Sequence, residues 1–378
     1  MLVVAIVFWA CAALIVYTQL GYGVLLALLV RVRRAPATSA SVPAELPSVS
    51  FVVAAYKEEA VIAQKVANVR ALDYPADRLE LIVACDGSPD ATPARAREAG
   101  ADVVLELPRG GKIRAQDAAV RAASGELVAF SDANAFWASD ALRRLLAPFA
   151  TDSTVGYVCG QVSFSNDDGG TNQEGLYWRY EMALRSYESR LASVTGGNGA
   201  IYATRRGSYI EVDPIMGHDL SFPFNMVKRG WKALYAPDAR ASEKMVPSIE
   251  GEFARKRRMM SHGWPIVLKG GLLSLKGYGP LYALMIVSHR VLRYALPFVH
   301  LFALIVNLLL LTTSPVYVAT MAVQCLLVAG AVLARWIPAR VLLVARYYVL
   351  TQAALAAGLW DWRRHGTEAG WSPPEGTR

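Results

Sequence analysis

The chain has 378 residues, 54% of them hydrophobic, with a mean hydropathy of +0.29 and a formal charge of +8. That is too apolar for an ordinary soluble enzyme, and long enough for one catalytic domain plus several membrane spans. The basic residues do not gather in one tract with interleaved aromatics, so nucleic acid is not the expected partner. Arg31, Arg33, Arg34, Arg335 and Arg340 instead flank hydrophobic segments, as cytoplasmic membrane flanks do.

Residues 2–30 form an almost unbroken apolar run that ends at Arg31-Val32-Arg33-Arg34. The run exceeds the ~20 residues that span a bilayer and lacks a small-residue cleavage site, which favours an anchor over a signal peptide. The trailing arginines place the N-terminus outside and the following domain in the cytoplasm. A Pro/Ala/Ser linker, residues 35–48, leads to a strand at 49–54, a helix at 59–71 and a strand at 79–84. A helix at 92–99, a strand at 102–107, a helix at 114–123 and a strand at 127–131 follow. Strands alternating with helices predict an α/β domain with a mostly parallel sheet. Beyond residue 155 the pattern is irregular and includes the loop Thr195-Gly196-Gly197-Asn198-Gly199.

Residues 264–284 mix lysines and glycines with Leu and Ile and read as an interfacial amphipathic segment. Hydrophobic segments near 292–312, 316–334 and 341–360 complete an expected total of four spans, although Arg346 suits the last one to the interface. Three crossings after a cytoplasmic domain would leave Arg363 and Arg364 outside, against the positive-inside tendency. The expected division is therefore an anchor at 1–34, a linker at 35–48 and a catalytic domain at 49–263. An interfacial segment at 264–284, spans at 285–362 and a tail at 363–378 follow. Cys11, Cys85, Cys159 and Cys325 are scattered without metal-type spacing, and no disulfide framework is expected.

Four acidic residues mark the domain: Glu58, Asp86, Asp132 and Asp219. The first three follow strand-like runs, where an open α/β sheet places its ligands. Asp132 and Asn134 offer oxygens to a hard divalent cation that bridges a nucleotide diphosphate, although a strand-end Asp also serves as a helix cap. Asp86-Gly87-Ser88 is a turn-forming triplet whose carboxylate can accept from a base or ribose. Gly110-Gly111-Lys112 opens a helix and supplies flexible backbone plus a cation for phosphate. Asp219 is the candidate general base, with His218 as the alternative base or as its orienting neighbour. Arg255 or Arg258, in Arg255-Lys256-Arg257-Arg258-Met259, fits the diphosphate, anionic membrane lipid, or both.

In this order the motifs resemble the membrane-bound glycosyltransferase family 2, with the GT-A fold, which contains cellulose, chitin and hyaluronan synthases and ceramide glucosyltransferase. The resemblance runs from the first span to the closing Trp371–Arg378 stretch. It implies that Ala55, Tyr56, Glu58, Asp86 and Gly87 bind the nucleoside of a UDP-sugar and that Lys112 contacts the donor. It further implies that Asp132 and Asn134 hold Mg2+ or Mn2+, that Gly197 and Asn198 meet the acceptor, and that Asp219 is the base. Three departures stand out: Asn134 replaces a second Asp, His218 replaces a Glu, and Met259 replaces the Trp on which processive synthases rest a sugar. The implied activity is inverting transfer to a lipid or membrane-proximal glycan by a multi-pass protein of the cell membrane. A processive polymer synthase and a catalytically silent scaffold are the competing readings.

Overall fold

The computed structural model describes residues 1–34, 45–165, 173–244, 249–367 and 369. Most of the linker and nearly all of the tail, including Trp371–Arg378, lie outside the described residues.

The domain that follows the linker is built on an eight-stranded sheet in the order β3-β2-β1-β4-β7-β6-β8-β5. Strands β1 (Val49–Ala55), β2 (Leu79–Asp86), β3 (Val103–Leu107) and β4 (Leu127–Asp132) are parallel neighbours. Helices α3 (Ile62–Arg70), α4 (Thr92–Glu98) and α5 (Lys112–Ala122) connect them. Every residue of β1 is buried, as expected for a central strand covered by helices on both faces. The two halves of the core lie on opposite faces of this sheet, one around Phe51, Val53 and Leu81 and the other around Val52, Ile82 and Phe130.

The region beyond residue 155 is more regular than its sequence suggests. β6 (Val155–Ser165) pairs in parallel with β8 (Lys232–Lys244) and antiparallel with β7 (Tyr202–Arg205). The two-residue β5 (Phe136–Trp137) closes the edge against β8. The sheet is therefore mixed, not parallel throughout. Helices α6 (Ala141–Thr151), α7 (Gln173–Leu191) and α8 (His218–Lys228) complete the domain.

The N-terminal apolar run is one rod, α1 (Leu2–Val16) and α2 (Tyr22–Val32), joined by a π turn at Tyr17–Gly21. The basic run 255–258 lies inside a long helix, α9 (Ile249–Leu268). The stretch 264–284 holds the end of that helix, a turn, and the start of α10 (Pro280–Met285). A second π turn, Ile286–Val291, carries α10 into α11 (Leu292–Leu310), followed by α12 (Pro315–Leu333) and α13 (Arg340–His365). Four helical rods, Leu2–Val32, Pro280–Leu310, Pro315–Leu333 and Arg340–His365, are long and apolar enough to cross a membrane. The two π turns meet where Tyr17 Oη and Ser288 Oγ form a 2.8 Å hydrogen bond.

Candidate active site

Asp86, at the end of β2, is the centre of a small cradle. Its Oδ1 accepts from the Gly110 N–H (2.6 Å) and the Gly111 N–H (2.9 Å), while its Oδ2 accepts from Arg109 Nη1 (2.6 Å). Gly87 permits this approach: its φ is +63°, and a Cβ there would lie 2.7 Å from the Arg109 nitrogen. The Arg109 guanidinium sits 3.4 Å from the Tyr56 ring centre. Ala55 ends β1 directly before Tyr56. Glu58 is buried; its N–H donates to Thr92 Oγ1 (2.9 Å), and its carbonyl accepts the Ile62 N–H (2.9 Å) that starts α3. The loops after β1 and β2 are thus fastened to each other at the strand ends, and the Gly110-Gly111 turn that cradles Asp86 leads directly to Lys112 in the wall of a cavity.

That cavity, about 620 Å³, takes Lys112 and Asp132 into its wall but not Asn134. Lys112 opens α5, and its ammonium pairs with the Asp132 carboxylate at the end of β4. Beneath this turn, buried Lys65 donates to Ser131 Oγ (2.8 Å) and to the Ala135 carbonyl (2.5 Å), and lies over Phe51 and Trp137. Burial pulls that ammonium down to about 7. Glu243, near the end of β8, also lines the cavity, and burial followed by the Asp132 charge pushes its carboxyl up. Asp132 and Glu243 lie near enough for their charges to interact, and an ion that displaced Lys112 from Asp132 would find oxygen ligands there. Among the described residues no three acidic, His or Cys side chains converge on one point, so a divalent ion held here would need further oxygen ligands from outside the chain.

The loop after α7 forms the neighbouring part of the wall. Gly197 donates its N–H to the Asp219 carbonyl (2.6 Å), and a Cβ on Gly199 would lie 3.7 Å from Lys112 Nζ. Asn198 Oδ1 accepts the Ala200 N–H (3.0 Å), which tightens the turn. Asp219 occupies the first turn of α8, half-buried and on the cavity wall. His218 does not orient it: its Nδ1 bonds Tyr202 Oη (2.7 Å), and its ring stacks on Phe222 (3.9 Å between centroids). Burial, with Lys112 nearby, drives the His218 imidazole well below its ordinary range, so it stays neutral.

From α9, Arg255, Arg258 and Met259 reach the same cavity. Arg255 is held by Glu252 through two bonds of 2.6 and 2.7 Å. Burial and the neighbouring Arg255 charge lower Arg258 from its usual value. Met259 is 40% exposed, and its sulfur lies 3.3 Å from Arg255 Nη1.

Residues 47–266 match the family described as Glycosyltransferase like family 2. The chain belongs to the family 2-like glycosyltransferases. Among curated relatives of this family 2 chain, the beta-monoglucosyldiacylglycerol synthase of Synechocystis sp. is 34% identical over 164 residues, covering 41% of this chain and 33% of the relative. The poly-beta-1,6-N-acetyl-D-glucosamine synthase of Staphylococcus aureus is 23% identical over 252 residues, covering 64% and 61%. The chain thus spans about a third of the first relative and 61% of the second. The fold matches that of the mannosyltransferase PcManGT from Pyrobaculum calidifontis, solved with GDP-Man and Mn2+. The TM-score is 0.72 at 24% identity, over 95% of this chain and all (100%) of the other. The GT-A architecture expected from the sequence is therefore present in this family 2 glycosyltransferase.

One cavity brings together Lys112, Asp132, Gly197, Asn198, His218, Asp219, Arg255, Arg258 and Met259, whereas Ala55, Tyr56, Glu58, Asp86 and Gly87 do not line it. Sequence reasoning passed over Lys65 and Glu243, whose polar character is unremarkable in a helix and at the exposed-looking end of a strand. It also passed over Arg185, Arg290 and Arg293. For the last two a signal existed, because a charge inside an apolar span stands out.

Proposed function

We propose that this protein transfers a sugar from a nucleoside diphosphate to an acceptor hydroxyl presented at the membrane, with inversion, and that Asp219 is the base. One spatial sequence carries the reading. The Asp132–Lys112 pair borders the loop at Gly199, and two residues earlier in that loop Gly197 is bonded to Asp219. A donor whose diphosphate lies against Lys112 presents its anomeric carbon towards Asp219.

In the transfer the anomeric C–O bond to the diphosphate breaks as the acceptor oxygen bonds the same carbon from the opposite face. The hydroxyl proton passes to the Asp219 carboxylate, and Lys112 and Arg258 offset charge on the departing diphosphate. Asp86 and Tyr56 hold the base, and His218 shapes the wall as a neutral ring. Asp132, with Glu243 close by, would hold Mg2+ or Mn2+, which supplies Lewis-acid stabilisation of the leaving group when bound. The Mn2+ and GDP-Man of the Pyrobaculum structure support a divalent ion and a nucleotide donor. Met259 offers no ring on which a sugar could stack, which favours limited transfer over polymer synthesis.

The same reading places the catalytic domain, residues 49–263, in the cytoplasm, with three crossing helices and α13 lying along the interface. Supporting this, α13 runs beside α9: Arg257 pairs with Asp361 (2.6 Å), and Trp264 Nε1 donates to the Leu355 carbonyl (2.8 Å). Arg363 and Arg364 then stay on the cytoplasmic side.

Purified protein in nanodiscs, offered UDP- and GDP-sugars with Mn2+ and scored for nucleotide release and product size, tests the proposal. Single additions are expected. Long polymer, or no turnover with any donor, would overturn it.

A further inference from the structure

The rod Pro280–Leu310 is apolar enough to span a membrane, yet it carries His289, Arg290 and Arg293. Charged groups in such a helix face protein or a water-filled cavity and mark a ligand path. All three line the cavity. The π turn at Ile286–Val291 sets their direction, and π turns recur at functional sites.

Two of the three are internally paired. His289 Nδ1 bonds Glu188 Oε1 (2.6 Å), which also accepts from Tyr22 Oη (2.6 Å) on the N-terminal rod, and Arg293 pairs with Glu181. Arg290 is different. Its Nε donates to Thr195 Oγ1 (3.0 Å), and its Nη2 fills the space that a Cβ on Gly196 would need. From α7, Arg185 Nη2 donates to the Gly197 carbonyl (2.9 Å). Arg185 is only 9% exposed. Among the described residues neither guanidinium has a carboxylate at ion-pair distance.

Arg290 reaches the Glu188 carboxylate through the Thr195 hydroxyl, which donates to Glu188 while accepting from Arg290 Nε. Two guanidinium groups held on one loop in the cavity wall without a direct ion pair keep forks that match phosphate oxygens. The donor diphosphate has its own cation at Lys112. Arg290 is carried by a rod apolar enough to cross a membrane, which favours lipid as the source of its anion. Gly197 is also hydrogen-bonded to Asp219, which puts the phosphate and the reacting hydroxyl on the same headgroup.

We propose that Arg185 and Arg290 bind the phosphate of the acceptor, and that the acceptor is an anionic phospholipid with a headgroup hydroxyl instead of a neutral diacylglycerol. This rests on the transferase reading above. The lipid phosphate stays intact: its hydroxyl oxygen bonds the anomeric carbon, the proton goes to Asp219, and the nucleotide diphosphate leaves.

The test titrates the full-length protein in detergent with dioctanoyl-phosphatidylglycerol and with dioctanoylglycerol, following tryptophan fluorescence, and separately with UDP and GDP plus Mn2+. The phospholipid is expected to bind at least about tenfold more tightly than the neutral lipid, the effect of one or two charge-assisted hydrogen bonds. Arg290→Gln should erase that preference and leave nucleotide affinity unchanged. Arg290→Lys, which keeps the charge and guards against misfolding, should retain part of it. Equal binding of the two lipids, or an Arg290→Gln variant that weakens nucleotide instead of phospholipid, would overturn the proposal. The lipid titration needs no turnover, so failure of the transferase reading would show separately, as absent nucleotide binding.

Discussion

Arg109 lies over the Tyr56 ring, 3.4 Å from its centre, and at the same time donates to Asp86. One side chain therefore covers the aromatic face available to a base and satisfies the carboxylate available to its N–H groups. A nucleobase held by Tyr56 and Asp86, as proposed, would displace it from one or both. Tyr56→Ala should weaken UDP or GDP binding by about tenfold, since base–aromatic stacking contributes ~1–3 kcal/mol. Arg109→Ala should tighten binding by removing the competitor. Isothermal titration reads both; a weaker Arg109→Ala complex would show that the guanidinium recognises the base.

Asp132→Ala removes the carboxylate that Lys112 now holds. Nucleotide binding should lose its dependence on Mn2+, and the bound-Mn2+ signal in paramagnetic resonance should fall. Glu243→Gln should produce a smaller change in the same direction. Retention of full Mn2+-dependent affinity by Asp132→Ala would remove that residue from the metal site.

Asp219→Asn keeps the shape of the first turn of α8 and the backbone bond to Gly197. Turnover should drop at least about a hundredfold, the usual contribution of a general base, with nucleotide affinity unchanged. Undiminished turnover would mean that the proton goes elsewhere.

His218 is buried as the neutral imidazole, with its pKa well below the ordinary value. The unfolded chain binds a proton near pH 6.5, where the folded chain does not. Stability is therefore complete above that pH and is lost as pH falls towards the folded pKa, by at most ~1.4 kcal/mol per pH unit. Unfolding midpoints between pH 7 and 5 should fall more steeply for the native protein than for His218→Gln. Equal slopes would show that the ring is protonated in place.

The parallel half of the sheet was readable because each strand is a compact apolar run closed by a turn, as with Phe51–Ala55 before Tyr56. The motifs at Asp86, Lys112 and Asp132 followed from those strand ends. The second half hid itself for physical reasons. β6 finds its parallel partner β8 some seventy residues away, with Tyr157 opposite Ala233, and no local periodicity records such a pairing. β7 has only four residues. His218 looked like a partner for Asp219 because they are adjacent in sequence, but a helix start sends neighbouring side chains in different directions, and this one turns to Tyr202. Arg185 and Arg290 lie about a hundred residues apart and acquire a shared role only when the helices pack against residues 195–197.

Thr367 Oγ1 donates to the Ser261 carbonyl (2.8 Å), and the Ala369 carbonyl occupies the space that a Cβ on Gly111 would fill. Ala369 thus rests on the loop that cradles Asp86. A fluorophore attached at position 369 would sit against the loop proposed to receive the donor, and on that reading its emission would report each arrival of nucleotide without any substrate analogue.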